Sequence, residues 1–219
     1  MTIPVLTIDG PSGAGKGTVS RAVAKKLGWH YLDSGSIYRS LAISVLDQQI
    51  DLMDESAVTQ VAKNMQLAFE CNDELVVKLQ GVDISARLPT EETGAVASKV
   101  AAYPAVRKVL LQKQKDFRQL PGLVADGRDM GTVVFADADI KVFLTASAQE
   151  RGERRFKQLK EKGIDANLGK ITAEIELRDR RDSERKTAPL IPAEDAFYLD
   201  SSDLTIDEVI NQVITLTVM

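Results

Sequence analysis

Gly10-Pro11-Ser12-Gly13-Ala14-Gly15-Lys16-Gly17-Thr18 stands between a short apolar run, Ile3 to Ile8, and a helix-like stretch from Thr18 to Leu27. Strand, glycine-rich loop, helix is the order in which a phosphate-binding loop works. Successive amides in a tight loop form an anion-binding concavity, and the helix start adds positive partial charge. Glycine lets the backbone approach phosphate oxygens with no Cβ in the way. Lys16 adds a mobile cation for the outer phosphates. The spacing from Gly10 to Gly15-Lys16 is that of a Walker A motif and implies a nucleoside triphosphate site. One position departs from it: Gly17 stands where Ser or Thr usually holds Mg²⁺, and Thr18 follows one residue later. That departure leaves Mg²⁺ to the nucleotide's own phosphates and to water, with no protein metal ligand expected.

Working outward, apolar runs of β character alternate with helical patterns, which predicts an α/β fold with a parallel sheet covered on both faces. The expected core strands are Ile3–Ile8, His30–Leu32, Leu123–Ala125, Ile140–Leu144 and Ala196–Leu199, and Leu204–Val218 reads as a closing helix. Asp9, Asp33, Asp126 and Asp200 sit at strand ends, where ligands gather in open α/β sheets. Residues 65 to 87 break the rhythm. Met65–Glu70 and Leu75–Leu79 read as strands around a Cys71-Asn72-Asp73-Glu74 turn, with Gly81–Ser85 as a third, either a sheet-bearing insert beside the acceptor or a surface ornament.

The chain has 219 residues, 44% of them hydrophobic, and a net charge of −4, which suits one globular unit and leaves no nucleic-acid or membrane footprint. A single cysteine, Cys71, excludes an internal disulfide framework and fits a reducing cytoplasm. The first residues lack a basic run and a long apolar stretch, so no signal peptide is expected, and no apolar run reaches the length of a membrane span. The lone His30 reads as a structural or surface residue.

Three further runs are rich in charge, two of them at strand ends. Asp126-Gly127-Arg128-Asp129-Met130-Gly131-Thr132 follows a strand directly, and by itself reads equally as a charged turn. Arg178, Asp182 and Arg185 fall at i, i+4 and i+7, one face of a helix, either a solvated ion-pair face or a phosphate site. Asp33-Ser34-Gly35 opens a helix that carries Arg39 about one and a half turns on; Asp33 or Ser34 is the expected N-cap. A triphosphate brought against a second phosphate needs several fixed cations, and the planar fork of arginine matches phosphate oxygens. An acceptor phosphate is already anionic, so no general base is required.

Together these runs resemble the bacterial cytidylate kinases among the nucleoside monophosphate kinases. The residues that carry the likeness are Gly10–Thr18, Leu32-Asp33-Ser34-Gly35 with Tyr38-Arg39, Ser98 through Ala101-Ala102-Tyr103-Pro104 to Arg107, and Leu120-Pro121-Gly122. They continue with Ala125 to Phe135, Arg178-Asp179, Asp182, Arg185 and Ala188-Pro189-Leu190. The resemblance implies a three-layer, P-loop NTPase-type fold with a five-stranded parallel core, an acceptor insert at about 60–102 and a short lid at about 157–169. It implies phosphoryl transfer from ATP to CMP or dCMP with Mg²⁺, by a cytoplasmic monomer with no nucleic-acid or membrane partner. By the same resemblance Gly10–Thr18 hold ATP, with Lys16, Arg39, Arg128 and Arg185 as the catalytic set. Arg39, Arg128 and Arg185 hold the CMP phosphate, and Arg178 and Asp182 the sugar. Ser98, Arg107 and Asp129 read cytosine, with Ser34 nearby. The rivals are another small-molecule kinase on this core, such as an adenylate or shikimate kinase, a GTP-binding switch, and a non-catalytic nucleotide binder. The switch lacks its Asn-Lys-x-Asp motif here.

Overall fold

The computed structural model describes residues 2–71, 75–161 and 163–217. The chain divides into two compact units, Met1–His30 with Leu120–Met219, and Tyr31–Gln119. Its main sheet holds β1 (Val5–Asp9), β2 (His30–Asp33), β6 (Leu123–Gly127), β7 (Ile140–Thr145) and β8 (Phe197–Asp200) in the order β2-β6-β1-β7-β8. The β6–β1, β1–β7 and β7–β8 ladders are parallel. All five expected core strands are therefore present, within two residues at either end.

In the first unit every residue of β1 and β6 is buried, as expected of strands covered on both faces. Leu6, Ile8, Leu123, Leu144, Met130 and Phe135 are fully buried. Each such side chain contributes about 1.5–3 kcal/mol of burial. Helix α1 (Lys16–Leu27) follows β1 and ends on Gly28, whose φ of 67° lets its amide return to Ala24 and Lys25 carbonyls. Trp29 then lies on Gly122, where a Cβ would come within 2.5 Å of the indole. His30 Nε2 is 2.9 Å from the Leu120 carbonyl oxygen, so the lone histidine is an exposed tie between two chain segments. Helices α6 (Ala148–Glu161), α7 (Leu168–Ser183) and α8 (Ile206–Leu216) complete the unit. A capping box at Thr205 and Glu208 starts α8.

The second unit holds α2 (Ser34–Asp47), α3 (Glu55–Asn64), α4 (Glu91–Val100), α5 (Pro104–Lys115) and an antiparallel sheet of β3 (Leu67–Cys71), β4 (Leu75–Leu79) and β5 (Val82–Asp83). The expected small sheet is thus present; its 72–74 turn lies outside the described residues. Gln80 and Gly81 both take positive φ, the two-residue connection that matches strand twist. Asp33 caps α2 by accepting the Ser36 amide at 3.0 Å.

Two local expectations change. Strand β6 runs on through Asp126 and Gly127, paired with Ile8 and Asp9 of β1, so Asp126 is a buried strand residue, not part of a turn. A single π-helical turn, Met130–Val134, follows. Helix α7 stops at Ser183, so Arg185 lies past its end and does not share a helical face with Arg178 and Asp182. The cause is a change of partners: the Asp182 carbonyl accepts the Leu190 amide at 2.9 Å and Arg185 Nε at 3.3 Å.

Candidate active site

The phosphate loop leaves β1 at Gly10, whose φ of 151° puts a would-be Cβ 1.9 Å from the Leu144 carbonyl oxygen. No side chain fits there. Gly13 and Gly15 also take positive φ, and helix α1 begins at Lys16 with Gly15 as its N-cap. The amides of Lys16, Gly17 and Thr18 are therefore among the first of the helix, where an intrahelical acceptor is missing and an anion is favoured. Gly10, Pro11, Ala14 and Lys16 are buried, Ser12, Gly15 and Gly17 half-buried, and Gly13 and Thr18 exposed. Lys16 Nζ donates to the Pro11 carbonyl at 2.8 Å, across its own loop.

At this same, C-terminal end of the β1–β6 ladder the Asp9 carboxylate accepts two amides, Met130 at 2.8 Å and Gly131 at 2.7 Å. This clamp fixes the chain immediately after Arg128 and Asp129. Burial pushes Asp9 up to about 6 and the nearby Asp129 adds to the rise, against the two amides and Lys16. Burial also brings Lys16 down to about 7, with Arg128 and Arg178 pushing the same way and Asp126 and Asp9 opposing. Lys16, Arg128 and Arg178 are thus close enough to repel one another.

Asp182 ties the arginines together. Its Oδ2 accepts Arg128 Nε at 3.0 Å, and its Oδ1 lies 3.6 Å from Arg185 Nη2. Burial works to raise its pKa, but Arg128, Arg185 and Arg178 win and hold the carboxyl below its ordinary range. At 3.6 Å the Arg185 contact is an ion pair and not a hydrogen bond. Arg185 Nη2 remains a buried donor with no hydrogen-bond acceptor. A buried donor left that way is costly, and an incoming phosphate oxygen would satisfy it. Asp129 is buried and Arg178 half-buried.

The second unit carries the other expected acceptor residues. Ser34 and Arg39 lie on α2, Ser98 on α4 and Arg107 on α5. The buried Ser34 hydroxyl donates to Gln114 Oε1 at 2.6 Å. Arg39 Nη1 donates to the Leu88 carbonyl, and its guanidinium faces Gly94, where a Cβ would sit 3.4 Å away. Ser98, one turn beyond Gly94 on α4, is half-buried. The Arg107 guanidinium lies over the Tyr38 ring, 5.8 Å from its centre, and Nη1 reaches the Ala101 carbonyl at 3.4 Å.

So Lys16, Arg128, Arg178, Asp182 and Arg185 come together in one unit, and Ser34, Arg39, Ser98 and Arg107 share the other. Sequence reasoning missed Arg151, Gln114 and the clamping role of Asp9. Arg151, 4% exposed, donates to the phosphate loop at the Ser12 carbonyl, 2.8 Å away. The one available signal was the arginine-rich start of α6, which by itself reads as a solvated helix face.

Known proteins share the sequence and the fold. A cytidylate kinase of Methylococcus capsulatus is 61% identical over 95% of this chain and 94% of its own. One from Colwellia psychrerythraea is 56% identical over 96% and 94%. A solved gluconokinase from Sinorhizobium meliloti shares the fold alone, at 11% identity and a TM-score of 0.50 over 98% of this chain and 91% of that one. A sequence model of one family matches residues 6–218, and with the phosphate loop and arginine cluster in place the chain belongs to the cytidylate kinase family.

Proposed function

We propose that the protein transfers the γ-phosphoryl group of ATP to CMP, and to dCMP, giving ADP and CDP or dCDP. The observation that carries this is electrostatic. Lys16 is held down to about 7 by burial and by Arg128 and Arg178, a crowding of cations that a polyphosphate relieves. Phosphoryl transfer asks for positioning and charge neutralisation, and this is an arrangement for both. An oxygen of the CMP phosphate attacks the γ-phosphorus, the bond to the β–γ bridging oxygen breaks, and ADP leaves with the electron pair. The acceptor oxygen is anionic near neutral pH, so no proton has to be removed.

In this reading Gly10–Thr18 hold the donor phosphates and Lys16 shifts from the Pro11 carbonyl to the outer phosphates. Arg39, Arg128 and Arg185 receive the acceptor phosphate, and Arg178 and Asp182 the sugar. Asp182 keeps its charge, so it accepts from sugar hydroxyls while holding Arg128 in place. Asp129 and Ser98 accept from the cytosine amino group, Arg107 donates to the ring acceptors, and Ser34 lies nearby. Uracil turns a carbonyl toward the carboxylate instead, and a site built on such pairs rejects the wrong base strongly. Mg²⁺ enters with ATP and spreads the charge of the triphosphate. The residues fit a metal carried by the nucleotide: among the described residues no group of three or more His, Cys, Asp or Glu is placed to hold a metal ion. Gly17 has no hydroxyl, and both Asp9 oxygens are occupied by amides.

The stretch 157–169 is proposed as the lid. In support, beyond the end of α6 Gly163 takes φ 71°, the Gly163 and Ile164 amides donate to the Lys160 and Leu159 carbonyls, and Ile164 is exposed; residue 162 lies outside the described residues. That exposed apolar side chain is available to cover bound substrate. A cytoplasmic monomer belongs to the same proposal; the single cysteine fits a reducing compartment.

The test is ADP formation from ATP against a panel of acceptors. CMP and dCMP should be turned over well and UMP poorly. Asp129→Ala should cut activity with CMP far more than with UMP. Equal losses would reject the base assignment, and ATP binding without turnover of any pyrimidine monophosphate would reject the kinase.

A further inference from the structure

Arg151 is a buried cation on α6 that the reaction as written does not use. Each of its three guanidinium nitrogens donates a hydrogen bond. Nε donates to the Ala146 carbonyl at 2.9 Å, Nη1 to the Ser12 carbonyl at 2.8 Å, and Nη2 to Asp179 Oδ2 at 2.5 Å. Those acceptors belong to the residue just after β7, the phosphate loop and helix α7, so one guanidinium joins three separate segments. The loop also lies directly on this side chain: a Cβ at Gly13 would come within 3.2 Å of Arg151 Cβ. The next residue, Gly152, lets α7 close in, since a Cβ there would meet Thr172 Oγ1 at 2.4 Å.

The Ser12 carbonyl is the informative contact. In a trans peptide the C=O and the following N–H point to opposite sides. Holding the Ser12 oxygen against Arg151 turns the Gly13 amide away from α6, to the loop's other face. We propose that Arg151 is a positioning residue of the donor site, setting the Ser12–Gly13 peptide for phosphate, and that Asp179 holds Arg151 in that pose. This rests on reading Gly10–Thr18 as the triphosphate loop. Asp179 neighbours Arg178 on α7, so the helix that carries two sugar-side residues also sets the shape of the donor loop. Only arginine can serve all three acceptors at once; a lysine ammonium lacks the planar fork.

The experiment uses the full-length protein with R151K and D179N, reading ATP affinity by titration and the Michaelis constants for ATP and CMP separately. The expected result for R151K is a loss of ATP affinity of about tenfold, from charge-assisted bonds given up, with the CMP constant within about twofold. D179N should weaken ATP in the same direction. The double variant should be no weaker than R151K alone, because the two residues act through one contact. Wild-type ATP affinity in both single variants overturns the proposal. So does a parallel loss for ATP and CMP, which a merely structural role predicts, and so does full additivity in the double variant. The ATP titration needs no acceptor, so it decides this point even if CMP proves not to be the substrate.

Discussion

Replacing Asp9 by Asn separates what the carboxylate does for folding from what it does for the segment that carries Arg128 and Asp129. Its oxygens accept the Met130 and Gly131 amides at 2.8 and 2.7 Å. Asn keeps one acceptor and turns an NH₂ toward the other amide. One hydrogen bond to a charged acceptor is lost, about 1.5–3 kcal/mol, and the other weakens. Against this, burial has pushed Asp9 from 3.8 up to about 6, and removing that buried charge returns about 3 kcal/mol at pH 7. The two nearly cancel, so D9N should change stability at pH 7 by less than about 2 kcal/mol. Activity should not be spared. The clamp fixes the two residues before it, Arg128 and Asp129, and a displacement of about 1 Å there costs on the order of 10²-fold in kcat/KM for CMP.

The pH dependence gives a second, independent reading. The folded value of Asp9 lies above the unfolded one, so its contribution to stability is full below pH 3.8 and is lost as pH rises through about 6. The wild-type protein should therefore gain about 2 kcal/mol relative to D9N between pH 7.5 and 4.5. Urea unfolding followed by the one tryptophan, Trp29, reports on the same unit as the clamp. A wild-type-minus-D9N difference that stays flat over that range would refute the buried-charge argument. Unchanged kcat/KM for CMP in D9N would refute the clamp.

Two further outcomes are expected. Lys16, held down to about 7 by burial and then Arg128, is mostly neutral at pH 8, and phosphate favours its charged form. ATP binding at pH 8 should thus take up close to one proton, and less at pH 6, measured by calorimetry in buffers of different ionisation enthalpy; Lys16→Met should abolish the uptake. Gly152→Ala drives a Cβ to 2.4 Å from Thr172 Oγ1, so its melting temperature should fall by about 5 °C, and adding Thr172→Ala should recover most of the loss.

The parts of this structure that were legible in the sequence are those set by local periodicity. Ile3–Ile8 and Leu123–Ala125 are continuous apolar runs because both faces of β1 and β6 are covered. The phosphate loop is equally local, with its glycines, lysine and helix inside nine residues. The ends of elements were less readable because distant partners set them. Asp9 meets Met130 across 121 residues, and Arg151 meets Ser12 across 139. A buried arginine and a solvated one look alike in a run such as Arg151-Gly152-Glu153-Arg154-Arg155. Helix α7 stops where Leu190 takes the Asp182 carbonyl, a bond that no helical spacing announces. Gln114 reads as one polar residue on an amphipathic helix until Ser34 is seen against it.

The glycine-rich loop after β1 is braced at its entrance by Leu144 against Gly10, in the middle by Arg151 on Ser12, and at its exit by α1. Such a loop has little freedom left to surrender when a polyanion arrives. Its amides act as a preset dipole array, so the favourable enthalpy of contact is only slightly offset by ordering. Nucleotide uptake by this segment should then look like docking into a mould, with the conformational work done elsewhere in the chain.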